Sequence, residues 1–298
     1  MPAAPRSASG VSPSAAGYDE AVNEMQSSAA TPSMPALFIG HGSPMNIVAD
    51  NGYTRDLEAL ATRLPRPAAI LVVSAHWLTK GTAVGADEHN LTIYDFFGFP
   101  DELYAKKYPA PGSPAVAARV SALTGGRAAP VARGLDHAAW APLIRLYPEA
   151  DIPVLELSLD VRAPAAEHYA LGRSLAPLRE EGVLIIGSGN IVHNLGIIDW
   201  DDDAPVAAWA AEFDAWVAAG VAARRHDDLI AYLEHPLGRK AAPTPDHYLP
   251  LLYALAVQAE ADEVLTVHEG IQNGTISMRC LQVGGRPSAT LPPPPRPE

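Results

Sequence analysis

Six short runs of branched aliphatic residues, bounded by Gly, Pro or polar groups, constrain this chain more than any other feature. They are PALFIG at 35–40, AAILVVSA at 68–75, IPVLELSL at 152–159, GVLIIGSG at 182–189, VLTVHE at 264–269 and ISMRCLQV at 276–283. Runs this short and this apolar suit strands buried on both faces, whereas a half-exposed strand would alternate. Longer stretches with helical spacing lie between them, at about 53–63, 114–124, 138–147, 164–181, 204–224 and 246–259. In the fifth of these, Trp209, Phe213, Trp216 and Val217 recur at helical spacing and are read as core packing. Strands alternating with helices predict an α/β fold, a layered sandwich of helices and a central sheet.

Residues 1–33 are rich in Ala, Ser and Pro and hold few large apolar groups, so they cannot offset their own ordering entropy. A disordered N-terminal tail is expected there, and a Pro-rich tail over 286–298, which includes PPPPRPE. The stretch 34–285 has no linker-like shift in composition and no internal repeat, so it is read as one domain.

Charge and composition narrow the partners. With 21 Lys and Arg against 34 Asp and Glu the net charge is −13, a field that repels nucleic acid and anionic membrane surfaces. No run reaches the roughly 20 apolar residues of a membrane span. Cys280 is the single cysteine, so neither an internal disulfide nor a cysteine-built metal knuckle can form. A reducing cytoplasm fits this usage, and the start of the chain lacks the apolar core of a secretory signal.

The ten histidines carry the chemistry. His41 follows ALFIG, His76 follows ILVVSA, and His193 comes shortly after VLIIGSG. Ligands collect beyond the carboxyl ends of strands in open α/β sheets, so three histidines at three strand ends are expected to converge. Grouped neutral imidazoles are the commonest metal ligands. The small residues of GHGSP and GSGNIVHNL are expected to expose His41 and His193, with Asn190 or Asn194 orienting the second ring nitrogen of His193. His247, in PTPDHYLPLL, stands where Thr244 or Asp246 can cap a helix, a good position for a ligand. His137 precedes a helix-like run, and its neighbour Asp136 is given little weight. His89 and His226 are read as solvated, His168 as lying on a helix surface, His235 as a loop residue, and His268 as a strand-end residue that could reach a site. An imidazole set without thiolates suits Zn, Fe, Cu or Ni in an open, catalytic site.

In order along the chain, MPALFIGHGSPMN, VVSAHW, TIYDFFGFP, YPAPGSP, GLDHAAW, GSGNIVHNL and PTPDHYLPLLYALA resemble the class III extradiol ring-cleavage dioxygenases of the LigB superfamily, and most closely its 4,5-DOPA dioxygenase branch. The likeness spans about Met34 to Val283. It implies a single α/β domain with a mixed central sheet. It also implies a divalent metal, Fe(II) for catalysis or Zn(II) in the same site, held by His41, His76 and His247. His193 carries over as a further ligand or an immediate neighbour, and His137 as a residue of the catechol pocket; the acid/base role falls to His193 or His137. The implied partners are a small catechol and dioxygen, the implied product a muconate semialdehyde, and the implied assembly a monomer or small homo-oligomer. His247 stands where the general pattern of non-haem iron sites has a carboxylate, which makes the site more electron-poor and more tolerant of zinc.

A zinc-dependent hydrolase is the alternative, because an open zinc site also generates hydroxide near neutral pH. A serine hydrolase built on Ser43 or Ser188 is disfavoured, since neither lies in G-x-S-x-G. A non-catalytic metal or ring-compound sensor is the remaining rival. Tyr94, Phe96, Phe97 and Phe99 are candidates for an aromatic pocket wall.

Overall fold

The computed structural model describes residues 33–201 and 204–285, so the two expected tails lie, apart from Ser33, outside the described residues. The aliphatic runs become β1 (Ala36–Gly40), β2 (Ala69–Thr79), β5 (Val154–Asp160), β6 (Val183–Gly189), β7 (Val264–His268), and the pair β9 (Ile276–Ser277) and β10 (Cys280–Val283). Three short strands are added to these: β3 (Thr82–Gly85), β4 (Ala128–Val131) and β8 (Ile271–Gln272). Eight strands form one sheet of order β4-β3-β5-β2-β6-β1-β10-β7, and β8 pairs with β9 apart from it. The central strands β5, β2, β6 and β1 are parallel, while β3 runs against β5 and β10 runs against both β1 and β7. The sheet is therefore mixed, as expected.

Strands β1 and β6 are buried along their whole length, which is why their sequences do not alternate. Their side chains divide between two cores. Phe38, Leu71 and Ile185 face one; Leu37, Ile70 and Leu184 face the other. Helices α2 (Pro114–Leu123), α4 (Ala165–Ser174), α5 (Ala208–Ala222) and α6 (Leu249–Ala256) contribute to the first core. Helices α1 (Gly52–Ala61) and α3 (His137–Leu146) contribute Leu57, Leu60, Trp140 and Leu143 to the second. The result is an α/β/α sandwich. In α5, Phe213 and Val217 are fully buried and Trp209 and Trp216 pack on them, in keeping with the core reading of that stripe.

Two departures from expectation have local causes. The stretch 164–181 breaks after Ser174, and a separate short helix begins at Pro177, whose missing N–H suits a first helical position. β2 continues past Ala75, because Leu78 and Thr79 re-pair with Leu159 and Asp160 of β5. No helix among the described residues is long and apolar enough to cross a membrane.

The approach of α6 to the end of β6 depends on glycine. A Cβ on Gly187 would collide with the Pro250 carbonyl, and one on Gly189 with the His247 carbonyl oxygen. Without side chains there, the Asn190 N–H donates to that His247 carbonyl at 2.8 Å and fixes the turn that carries the histidine. Gly189→Ala is expected to lower stability by about 1–3 kcal/mol, the usual effect of overpacking a filled interior, and, on the ligand role that the resemblance implies for His247, to weaken metal binding as that residue is pushed aside. Urea unfolding and zinc titration of the variant read both effects, and wild-type values in both would show that the turn yields freely.

Candidate metal centre

Two strand ends, an irregularity within a third strand and two helix starts deliver the histidines to one place. His41 leaves β1 where Gly40 lies opposite Gly189, and its N–H donates to the Gly189 carbonyl at 3.1 Å. His76 sits on an irregularity of β2: between Val73, paired with Leu157, and Leu78, paired with Leu159, four residues stand against one on β5. Such a bulge re-aims a side chain. His137 is the first residue of α3, whose N-cap Asp136 accepts from the Ala138 N–H. His247 lies in the turn before α6, and His193 in the loop after β6.

Ring centroids of His41 lie 5.2 Å from His76, 5.5 Å from His137 and 5.4 Å from His247. His76 is 4.1 Å from His137 and 4.9 Å from His247, and His193 stacks on His247 at 3.5 Å. The sequence-predicted histidines thus converge. The expectation that the GHGSP turn exposes its histidine is overturned, because its glycines bring backbone inward; His41 is only 4% exposed. His137 and His247 are buried as well, while His76 and His193 are only partly covered.

Hydrogen bonds at Nδ1 leave Nε2 bare on His41 and His247, and a carboxylate faces Nδ1 of His76. The Ser188 hydroxyl donates to the Ala138 carbonyl at 2.6 Å, so its oxygen accepts from His41 Nδ1–H at 3.0 Å. This polarity is the reverse of a nucleophilic serine. Ser43 is likewise engaged, accepting from the Met45 N–H. Asp246 accepts from His247 Nδ1 at 2.5 Å, and His247 Nε2 is buried without a partner. That aspartate does not cap α6, as had been expected. Asp95 Oδ2 lies 3.2 Å from His76 Nδ1, and His76 Nε2 faces His41 Nε2 at 3.3 Å. With the His76 proton on Nδ1, two lone pairs meet there and repel each other unless a cation lies between them.

Tetrahedral metal–nitrogen bonds of about 2.0–2.1 Å would separate two ligand nitrogens by about 3.3 Å. The donor set therefore fits a divalent metal. His41, His76 and His137 each offer a nitrogen within 4.8 Å of the others.

Asp95 was missed at the sequence level. It lies in the TIYDFFGFP loop, and its Oδ1 accepts the His137 N–H at 2.9 Å. His137 Nδ1 lies 2.9 Å from the same oxygen, at an angle that leaves any hydrogen bond bent. Asp95, and not Asp136, is thus the carboxylate against the His137 ring. Of the aromatic residues in that loop, Phe96 packs edge-on to His137 at 5.5 Å, whereas Phe97 is 90% exposed and cannot wall a pocket as placed. Asn190 and Asn194 are committed to Ser277 and Lys240 carbonyls, so neither orients His193 as had been expected.

Electrostatics favours neutral rings. Burial, then the neighbouring histidines, hold His41 well below its ordinary pKa. Burial takes His193 to about 2, and takes His247 to about 4 against the pull of Asp246. Burial also lowers His137, outweighing Asp95. For Asp95 burial acts upward, but the bonds to His137 and His76 prevail and hold it far below the usual carboxylate range. Unfolded histidines titrate near 6.5, so between that value and the lower folded ones the unfolded chain binds more protons, and stability falls as pH falls. The contribution is intact above about pH 6.5; for buried His247 alone the loss near pH 5 is on the order of 2 kcal/mol. Metal-free protein is expected to unfold at lower urea concentration at about pH 5 than at about pH 7. Equal midpoints would mean that these rings protonate freely in the fold.

The remaining histidines stand outside the cluster. His168 is buried, not on a surface, between the Tyr253 hydroxyl at 2.9 Å and the Asp160 carbonyl. His226 is half-buried against Tyr169 rather than solvated. His268 pairs with Asp56 at 2.7 Å, His235 packs on Trp216, and His89 is exposed.

Residues 34–278 match the family model described as the catalytic LigB subunit of aromatic ring-opening dioxygenase. The chain belongs to the LigB family. Among its LigB relatives, a "4,5-DOPA dioxygenase extradiol" of Escherichia coli K12 is 48% identical across 84% of this chain and 95% of that protein. A protein of the same name from Beta vulgaris is 41% identical across 81% of this chain and 93% of its own length. The crystal structure of an uncharacterized Escherichia coli K12 protein superposes with a TM-score of 0.74 at 45% identity, covering 84% of this chain and all of that one. LigB membership bears out the resemblance drawn from the motifs and makes the chain a class III extradiol ring-cleavage dioxygenase, an oxidoreductase. It also disfavours the hydrolase alternative.

Proposed function

We propose that this LigB enzyme opens the ring of a small catechol, DOPA or a related compound, with dioxygen, placing both oxygen atoms in a muconate semialdehyde. The supporting observation is the cluster of imidazoles, with His41 Nε2 and His76 Nε2 at 3.3 Å and His247 Nε2 buried without a hydrogen-bond partner. In this reading His41, His76 and His247 hold a divalent metal, with His193 a fourth ligand or its immediate neighbour. The bound metal supplies the Lewis acidity that lowers the pKa of a catechol hydroxyl and the redox capacity that reaction with dioxygen requires.

The chain's own residues do the rest. Phe96 offers a ring edge at the cluster and excludes water from that side. His137 is neutral and can take a catechol proton at Nε2, then return it to the opening ring. His193, stacked on His247, is the second group able to move a proton there. We place the enzyme in the cytoplasm on the strength of its one cysteine, which is buried and free. With a net charge of −13 we assign it neither nucleic-acid nor membrane partners, and a monomer or small homo-oligomer as its form.

Anaerobic loading with Fe(II), followed by air and a catechol, tests the reading. One dioxygen consumed per catechol lost is expected from the iron form and none from the zinc form. Ester hydrolysis by the zinc form, without oxygen uptake by the iron form, would favour the hydrolase instead.

A further inference from the structure

One carboxylate meets two of the clustered rings. Asp95 Oδ2 approaches His76 Nδ1 at 3.2 Å, and Oδ1 takes the His137 backbone N–H at 2.9 Å with His137 Nδ1 at the same distance. No other carboxylate among the described residues is recorded in an ion pair with either ring. The loop that carries Asp95 also carries Phe96, which touches His137, and Tyr94, whose ring lies 5.8 Å from that of Trp140 in α3. Asp95 thereby ties a loop, a strand bulge and a helix start together at one point.

We infer that Asp95 is a positioning residue that holds His76, and with it His137, in the tautomer whose Nε2 is bare toward the site. A carboxylate only accepts hydrogen bonds, so each ring nitrogen facing it must carry the proton. The neutral ring then has no proton left for Nε2. His41 and His247 are set the same way by other acceptors, the Ser188 oxygen and Asp246. His76 has Asp95 alone for this purpose among the ring partners described.

The asymmetry of the contacts predicts how an amide would behave. Oδ1 faces two donors of His137 and Oδ2 one of His76, so the oxygen of an asparagine would remain with His137 and its NH₂ would turn to His76. Two donors cannot face each other. His76 would move its proton to Nε2, where His41 Nε2 can accept it across 3.3 Å. The variant would then gain a hydrogen bond between the two histidines in the metal-free fold and lose a metal-binding lone pair. A merely structural role for Asp95 predicts the opposite pairing, lost stability with unchanged tautomers.

The inference rests on the proposed metal role of His76, and the test separates the two. Histidine ¹⁵N spectra of metal-free protein are expected to show His76 protonated at Nδ1 in the wild type and at Nε2 in Asp95→Asn. Zinc affinity, measured against a chelating dye, is expected to fall roughly 10–100-fold, the range for groups that orient a metal-bound histidine, with the urea midpoint of the metal-free form retained. A wild-type spectrum with His76 protonated at Nε2 would overturn the inference whether or not the variant folds. So would an Asp95→Asn protein with wild-type tautomer and zinc affinity, provided that His76→Ala loses the metal. Full metal retention by His76→Ala would instead overturn the metal role of His76, and with it the affinity expected here.

Discussion

Alanine at His41, His76 or His247 is expected to strip the protein of its metal while leaving a cooperative fold. The loss should exceed the roughly 10–100-fold that a supporting group contributes, because a donor atom itself is removed. Folding should survive for an electrostatic reason. In the metal-free state His41 and His247 are buried with lowered pKa values, and His41 and His76 turn their Nε2 atoms toward each other at 3.3 Å. Deleting one of that pair relieves a repulsion, which partly offsets the cavity it leaves. Metal content by elemental analysis, beside urea unfolding of metal-free protein, reads both halves. A variant that keeps a full equivalent of metal would remove its residue from the ligand set.

His137→Gln is expected to behave differently, holding metal and catechol yet losing about 10²–10⁴-fold in turnover, the usual contribution of a positioned proton-transfer group. Glutamine keeps much of the size and some of the hydrogen bonding but has no titrating nitrogen. The geometry makes this a severe trial of the proposed roles, since His137 offers a ring nitrogen within 4.8 Å of those of His41 and His76. His193→Gln should weaken metal binding and abolish activity together. Metal analysis with anaerobic catechol titration decides the matter: a His137 variant unable to hold metal would make His137 a ligand, and one with wild-type turnover would remove it from the reaction.

How much of this was legible in the sequence depended on whether each feature was local. The strand runs were readable because β1 and β6 are covered on both faces, and β2 and β5 carry branched aliphatic stretches, at 70–73 and 154–155, that reach both cores. β3 and β4 were not readable, since TAVG and AAPV are too short to show a pattern and form only because a neighbouring strand is in place. His41 and His193, beyond strand ends, were visible from position alone; His76 was visible as a candidate although its strand runs on past it to Thr79. Asp95 was not, because it comes from a loop between β3 and β4 and meets His137 across 42 residues of chain. His168 was misread for a related reason: helical spacing cannot reveal that Tyr253 of another helix will cover it.

The placement of the two aspartates settles what kind of ion the interior can neutralise. Asp95 and Asp246 each contribute one negative charge, delivered to the far nitrogen of an imidazole rather than to the ion itself. Buried Asp136 is paired with Arg133, and burial pushes the Glu156 carboxyl up toward its neutral form, so Asp95 and Asp246 leave two uncompensated negative charges beside the rings. A divalent ion brings that total to zero. A monovalent or trivalent ion would leave a residual charge in a poorly hydrated place, where charge imbalance is expensive. On the proposed ligand set, valence selection falls to residues that never touch the ion, while the imidazoles decide only how it is gripped.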